Sequence, residues 1–182
     1  MVQADRFVPA KKVAMALHSL IGSQFPRDYL SVIGMSSVAY PIRGDELPTI
    51  SWDQEYGTNM QHGFAIARKL LAQQTGTKQI IMITDGEPDA AQNAMIPALS
   101  AEIEAGMKNK DFCFMAIGVE GADTAVLQTI SNSEIPPRML TGLKFAAFFR
   151  WLSSTIADVA KGQNVADAVK NADQAWDGGF KF

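Results

Sequence analysis

The stretch that most constrains the fold of this chain is IIMITDGEPD, residues 80–89. It opens with a run of large apolar residues that does not alternate, which is typical of a strand buried on both faces of a parallel sheet. Asp85 and Gly86 then end the strand, and Pro88 prevents it from continuing. Because ligand sites in open parallel sheets form beyond the carboxyl ends of strands, Asp85 is placed to bind a metal or ligand. A simple polar turn explains the pattern equally well, since Asp-Gly turns are common.

The composition indicates one globular domain. The chain has 182 residues, 47% of them hydrophobic, which is enough apolar material for a sizeable core. Its formal net charge of -3, with scattered basic residues, argues against a nucleic-acid partner. No apolar run is long enough to span a bilayer, and the first residues lack the apolar core of a signal peptide. With a single cysteine, Cys113, in an apolar run, we predict a cytoplasmic protein with no membrane partner.

Helical periodicity alternates with continuous apolar runs along the chain. This order predicts an α/β fold with a doubly wound, mostly parallel sheet flanked by helices. The predicted helices are residues 9–21, 60–74, 94–110, 122–130 and 145–160, and the predicted strands are residues 28–35, 38–42, 80–84, 112–119 and 138–140. Strands 28–35 and 38–42 are expected to form a hairpin, of which 38–42 is an antiparallel edge.

The sequence also predicts where the first two helices end and how the chain divides into a domain and a tail. Pro9 is expected in the first turn of the first helix and Gly22 at its C-terminal cap, while Gly76 is expected to close the second helix. Residues 1–162 are assigned to one domain. Residues 163–182 form a weakly periodic tail, whose DGGFKF end is expected to be loosely held.

Two stretches, YGTNMQHGFAIARKLL and KQIIMITDGEP, resemble the von Willebrand factor A (vWA) family. That family holds one divalent cation at a metal-ion-dependent adhesion site, through a DxSxS motif after the first strand, a Thr ahead of a helix and an Asp after a later strand. By this resemblance Thr58 and Asp85 are metal ligands. The implied ion is Mg²⁺, or Mn²⁺ or Ca²⁺ in its place. The residues expected around the two ligands are Asn59, Gly86, Glu87 and Asp89.

Some of these surrounding residues also have simpler explanations. Glu87 and Asp89 lie in a predicted surface loop, where acidic side chains are more often simply solvated. Asn59 is suited to cap the helix that follows it. His18 and His62 lie on separate predicted helices with no Cys or His at ligand spacing, which argues against a zinc site.

The second half of the chain resembles a narrower group. The stretches FCFMAIGVEGADTAVLQTIS and LTGLKFAAFFRWLSSTIADVA are similar to the tellurium-resistance, TerY-like branch of bacterial vWA proteins. The vWA resemblance as a whole covers roughly residues 9–162. It implies a module that works inside a bacterial stress-resistance assembly.

The chain departs from the vWA pattern at its start. No DxSxS motif occurs in the 182 residues, and no apolar strand precedes the first predicted helix. Residues 1–7 cannot supply that strand, because Asp5 and Arg6 would be buried without partners. We favour a chain that begins at an internal Met, since a gap in a parallel sheet leaves backbone groups unpaired. There are two alternatives. The protein naturally lacks the strand and half of the metal site, or the strands on either side of the gap pair with each other.

The resemblance implies a binding function without catalysis. An ion held by neutral hydroxyls and few carboxylates stays under-neutralised, so it attracts an Asp or Glu of a protein partner. Thr58 and Asp85 alone are too few for tight metal binding. The alternative is a Mg²⁺-dependent hydrolase with Asp85 and Asp89 as ligands. Against it, the sequence has no nucleophile–base pair, GxSxG elbow or GxxxxGK[ST] phosphate loop.

Overall fold

The computed structural model describes residues 4–51, 58–84, 88, 90–119, 121–131, 135–140 and 145–174. Within them the helices are α1 (Ala4–Gln24), α2 (Met60–Ala72), α3 (Ala90–Asn93), α4 (Ile96–Lys108), α5 (Thr124–Ile130), α6 (Phe145–Ala160) and α7 (Val165–Gln174). The strands are β1 (Val32–Met35), β2 (Ala39–Ile42), β3 (Gln79–Thr84), β4 (Cys113–Val119) and β5 (Arg138–Leu140). The chain forms two compact units, Met1–Thr75 with Glu87–Leu99, and Gly76–Gly86 with Ser100–Phe182.

The first unit is built on the predicted hairpin, which the structure confirms. β1 and β2 are antiparallel, with Met35 opposite Ala39 and Ile33 opposite Pro41. Helix α2 packs on both strands. It approaches β1 closely because Gly63 has no side chain; a Cβ there would lie 2.5 Å from Sδ of Met35. A bulkier residue at this position would force the side chain of Met35 to move.

The outer edge of β2 lies on the side away from β1. There the backbone N–H of Ala39 donates a hydrogen bond of 3.0 Å to Nδ1 of His62 in α2. Pro41, two residues on and therefore on the same side of the strand, has no N–H group. Both positions on this edge thus lack a free donor.

Helix α1 is longer than predicted at both ends. It begins at Ala4 and ends at Gln24, so Pro9 lies inside the helix and Gly22 does not cap it. The helix stops where Phe25 precedes Pro26, because proline disfavours helical backbone in the residue before it. Val13 and Leu17 of α1 are buried. Lys11 adds hydrogen bonds from Nζ to the carbonyl oxygens of Pro48 and Ile50, at 2.7 and 2.8 Å.

The second unit contains a parallel sheet in the order β3, β4, β5. Gln79 lies opposite Cys113 and Ile117 opposite Arg138. Every residue of β4 is buried, as its unalternated sequence predicted. In β3 the prediction of full burial holds on one face only. Ile81 and Ile83 are half-buried, and β4 is the sole strand paired with β3 in the described part of the chain.

Helices α5 and α6 follow their predicted positions. Helix α5 packs on β4, where Gly118 makes room; a Cβ on Gly118 would lie 2.5 Å from Cδ1 of Leu127. Helix α6 has the predicted bounds and buries Phe148, Leu152 and Val159. Gly76 has a positive φ of 84° but lies beyond α2, which ends at Ala72 with Gln73 as its C-cap.

Helix α7 lies in the stretch for which the sequence indicated only weak periodicity. Its buried face consists of Ala168, Val169 and Ala172, and it packs on α6. Asp173 forms an ion pair with Arg138 and accepts a hydrogen bond of 3.0 Å from Nε1 of Trp151. These contacts tie α7 to β5 and α6. The DGGFKF end lies outside the described residues.

The fold is therefore α/β, with a three-stranded parallel sheet and a two-stranded antiparallel sheet. A single doubly wound sheet stays a prediction. So does the assignment of one domain to residues 1–162 and a tail to residues 163–182. In the stretches that the structure describes, no helix has both the length and the apolar character needed to cross a membrane.

Candidate functional site

Thr58 lies directly ahead of α2, where the sequence predicted it. Its carbonyl oxygen accepts a hydrogen bond of 2.9 Å from the N–H of Met60. The side chain is not in an exposed loop, however, because the residue is only 5% exposed. A substitution of Thr58 would therefore also affect the packing of the first unit.

Asn59 is the N-cap of α2, which confirms the capping role expected for it. Its Oδ1 accepts from the N–H of His62 at 2.9 Å. Its own N–H donates to the carbonyl of Ser36 at 2.8 Å, and its Nδ2 donates to the carbonyl of Ser37 at 3.2 Å. One side chain thus fixes the start of α2 against the turn between β1 and β2.

That turn, residues 36–38, was not among the residues expected at the site. Ser36 is buried, and both its N–H and its Oγ donate to the carbonyl of Val38, at 3.0 and 2.8 Å. The only local signal in the sequence was a Ser-Ser pair between two apolar runs. The turn matters because its carbonyl groups hold Asn59, the N-cap residue, from outside the helix.

His62 completes this arrangement. Its Nδ1 accepts a hydrogen bond of 3.0 Å from the backbone N–H of Ala39 in β2. In the part of the chain that the structure describes, no group of three or more His, Cys, Asp or Glu side chains is arranged to hold a metal ion.

A small cleft of about 10 Å³, room for roughly one water molecule, lies beside Thr58. Apolar side chains form its floor, where Met60, Ile96 and Leu99 are 2%, 7% and 0% exposed. Met95 is 40% exposed. The cleft is lined by Thr58, Asn59, Met60, Gln61, Pro88, Gln92, Met95, Ile96 and Leu99. Sequence reasoning missed it, because α2 and α4 each showed only an ordinary apolar stripe.

The remaining predicted site residues follow β3. Asp85, Gly86, Glu87 and Asp89 lie outside the described residues, so their approach to Thr58 stays a prediction. The last residue of β3, Thr84, is buried and lies opposite Gly118 in β4.

We expect Asn59→Ala to lower the free energy of unfolding by about 1.5 kcal/mol, since it removes the helix cap and the bond to Ser37. Urea denaturation followed by circular dichroism would measure the change. Asn59→Asp is the matched control, because it keeps the oxygen that accepts from His62. If the Asp variant is as unstable as the Ala variant, capping is not what Asn59 contributes.

Comparison with known proteins adds three findings. Residues 1–113 match the sequence model of a family described as Rv0959-like protein, vWA domain. The uncharacterized protein Rv0959 of Mycobacterium tuberculosis (strain ATCC 25618 / H37Rv) is 35% identical over 91 residues, which are 50% of this chain and 14% of that protein. The uncharacterized protein Mb0984 of Mycobacterium bovis (strain ATCC BAA-935 / AF2122/97) matches to the same extent. The chain therefore corresponds to a small part of these relatives.

A solved structure shows the same fold at low sequence identity. Proximal thread matrix protein 1 from the mussel byssus superimposes with a TM-score of 0.55 and 16% identity. The match covers 79% of this chain and 39% of the mussel protein. At that identity the likeness concerns the fold alone.

Proposed function

Since this chain belongs to the Rv0959-like vWA family, we propose that it is a non-enzymatic module that binds an acidic residue of a protein partner through a divalent cation. Membership of the vWA family supports a protein-interaction module in general. The observation that carries the narrower proposal is the placement of Thr58. This residue, which by resemblance takes the place of the hydroxyl ligand of the family's metal site, is buried at the capped start of α2.

The proposed ligands are the hydroxyl of Thr58 and the carboxylate of Asp85, with Asn59, Gly86, Glu87 and Asp89 around them. Oxygen donors suit a hard cation such as Mg²⁺, which takes about six oxygens in near-octahedral geometry. Mn²⁺ and Ca²⁺ accept the same donors. One neutral and one charged ligand leave the ion net positive, so it favours a carboxylate from a partner.

Two protein ligands also set the strength of binding. We predict that the 182-residue chain binds Mg²⁺ with a dissociation constant above about 1 mM, because most of the coordination shell would remain water. Isothermal titration calorimetry of the chain and of Asp85→Ala measures this directly. A low micromolar constant for the unmodified chain would show that other residues complete the site.

Partner capture tests the function itself. The chain and its Asp85→Ala, Thr58→Ala and Thr58→Ser variants are used to capture proteins from a bacterial lysate, with Mg²⁺ or with EDTA. We expect a set of proteins that is captured only with Mg²⁺ and only by the unmodified chain and Thr58→Ser, which keeps the hydroxyl. Because Thr58 is buried, circular dichroism of each variant must first show an unchanged fold. Identical capture in all conditions would contradict a metal-bridged contact.

The biological setting is a narrower proposal. The similarity of residues 112–131 and 140–160 to tellurium-resistance proteins supports a role in a bacterial cytoplasmic stress-resistance assembly. The family match, over residues 1–113, does not extend through those segments. If the chain instead turned over phosphatase or esterase substrates with Mg²⁺, and Asp85→Ala abolished the turnover, a hydrolase with Asp85 and Asp89 as ligands would replace this proposal.

A further inference from the structure

We propose that His62 makes the attachment of α2 to the hairpin sensitive to pH: the neutral ring holds β2, and a proton on the ring releases it. The ring joins α2 to β2 through one hydrogen bond, from the N–H of Ala39 to Nδ1 at 3.0 Å. The proposal concerns elements of the first unit alone. It needs no metal ion and does not depend on the proposed function.

Ala39 carries a donor that the hairpin itself does not satisfy. Its N–H points away from β1, so the ladder between the two strands offers it no acceptor. The residue is 6% exposed, and a buried N–H without an acceptor is costly. If the ring of His62 were turned over, a carbon atom would face this N–H. The accepting nitrogen is therefore what suits His62 to this position.

The hydrogen bond lasts only while the ring of His62 is neutral. An imidazole nitrogen accepts through its lone pair, and in a protonated ring both nitrogens are donors. The Nδ1–H of His62 and the N–H of Ala39 would then be two donors facing each other. Histidine side chains normally take up a proton between about pH 8 and about pH 5. Because His62 is exposed, protons reach it directly from the solvent.

The surroundings of the ring offer no ion pair in place of this bond. Residues 32–42, which form the hairpin, include no acidic or basic side chain, and Tyr40, next to the donor residue, points to the opposite face of β2. Residues 90–99, across the small cleft from the start of α2, are also uncharged. Helix α2 has no acidic residue, and its charged side chains, Arg68 and Lys69, are both basic. In these elements protonation therefore costs a hydrogen bond and gains no attraction.

The release is confined to one side of the hairpin. Two further hydrogen bonds hold the start of α2, from the N–H of Asn59 to the carbonyl of Ser36 and from its Nδ2 to the carbonyl of Ser37. Neither contains a group that titrates near neutral pH. Acid therefore frees β2 from α2 but leaves the helix tied to the turn.

Hydrogen exchange at the Ala39 amide, followed by NMR, tests this directly. We expect its protection, corrected for the intrinsic exchange rate, to fall about tenfold between about pH 7.5 and about pH 5.5, the effect of losing one hydrogen bond. The amide of Asn59 is the internal reference, because it donates to a carbonyl that does not titrate. Its protection should stay the same at both pH values.

The chain has two histidines, so matched variants can assign the effect. His62→Asn puts an amide oxygen near the place of Nδ1, which accepts at either pH, and should keep Ala39 protected in acid. His62→Ala removes the acceptor and should leave Ala39 weakly protected at both pH values. His18→Asn, at an exposed position of α1, should show the same fall as the unmodified chain.

Several results would overturn the proposal. Equal protection of Ala39 at both pH values in the unmodified chain would do so, as would an undiminished fall in His62→Asn. Loss of the pH dependence in His18→Asn would move the effect to the other histidine. A parallel fall at Asn59 would show that the whole start of α2 opens rather than one bond. If His62→Ala does not fold, the unmodified chain and His62→Asn still decide between these results.

Discussion

Replacing Asp173 with alanine is expected to lower the free energy of unfolding by about 2–3 kcal/mol, the largest stability change that we predict. Arg138, the ion-pair partner of Asp173, is only 15% exposed in its side chain. The substitution leaves this guanidinium without its carboxylate and the Nε1–H of Trp151 without its acceptor. Because the side chain of Asp173 is itself 37% exposed, the expected cost is below that of a fully buried pair.

Thermal denaturation followed by circular dichroism would show this loss as a fall in Tm of about 5–10 °C for a chain of this size. Asp167→Ala removes an exposed carboxylate from the same helix and should cost less than about 1 kcal/mol. The double variant R138M/D173L should be more stable than D173A, since an apolar pair leaves no buried charge. Equal losses for Asp173→Ala and Asp167→Ala would show that the ion pair does not anchor α7.

Cys113 is expected to react with a disulfide reagent at least about 30-fold more slowly in the folded chain than in urea, at about pH 8. Burial raises the pKa of its thiol from 9.0 to about 12, because the thiolate loses its hydration. Only the thiolate is the nucleophile, so its smaller fraction slows the reaction, partly offset by the greater nucleophilicity of a thiolate with a higher pKa. The release of the reagent's coloured thiol measures that rate, and equally fast labelling in buffer would contradict the burial of Cys113.

The same pKa shift predicts a loss of stability in alkali. The thiol is neutral in the folded chain up to about pH 12 but ionises near pH 9 in the unfolded chain. Its contribution is therefore fully present below about pH 9 and is lost as the pH rises from about 9 to about 12. Cys113→Ala should show a smaller decline over this range, in urea denaturation at each pH.

The best predictions from sequence concern segments with one dominant apolar signal. The bounds of α6 and β5 agree with those predicted, and β4 was predicted within one residue of its start. A continuous apolar run or a wide apolar stripe can be read from the sequence of the segment itself. A buried strand or helix needs such a pattern whichever parts of the chain it packs against.

Features that depend on contacts between residues far apart in the sequence could not be predicted from the sequence of one segment. The buried face of α7 consists of small residues, Ala168, Val169 and Ala172, and its anchor is an ion pair to Arg138. The small residues do recur at helical spacing, but the helix as a whole is polar, so its apolar stripe was underestimated from the sequence. In the same way, the burial of Thr58 accompanies bonds from Asn59 to a turn that comes earlier in the chain. The capping role of Asn59 was predictable, because a cap is a local interaction.

The outer edge of β2 affects how the protein behaves at high concentration. An exposed strand edge can template the addition of a strand from another molecule through its free N–H and carbonyl groups. On this edge the N–H of Ala39 is held by His62, and Pro41 has none. An incoming strand would find no donor at either position, so this side of the hairpin resists the edge-to-edge polymerisation from which fibrils grow.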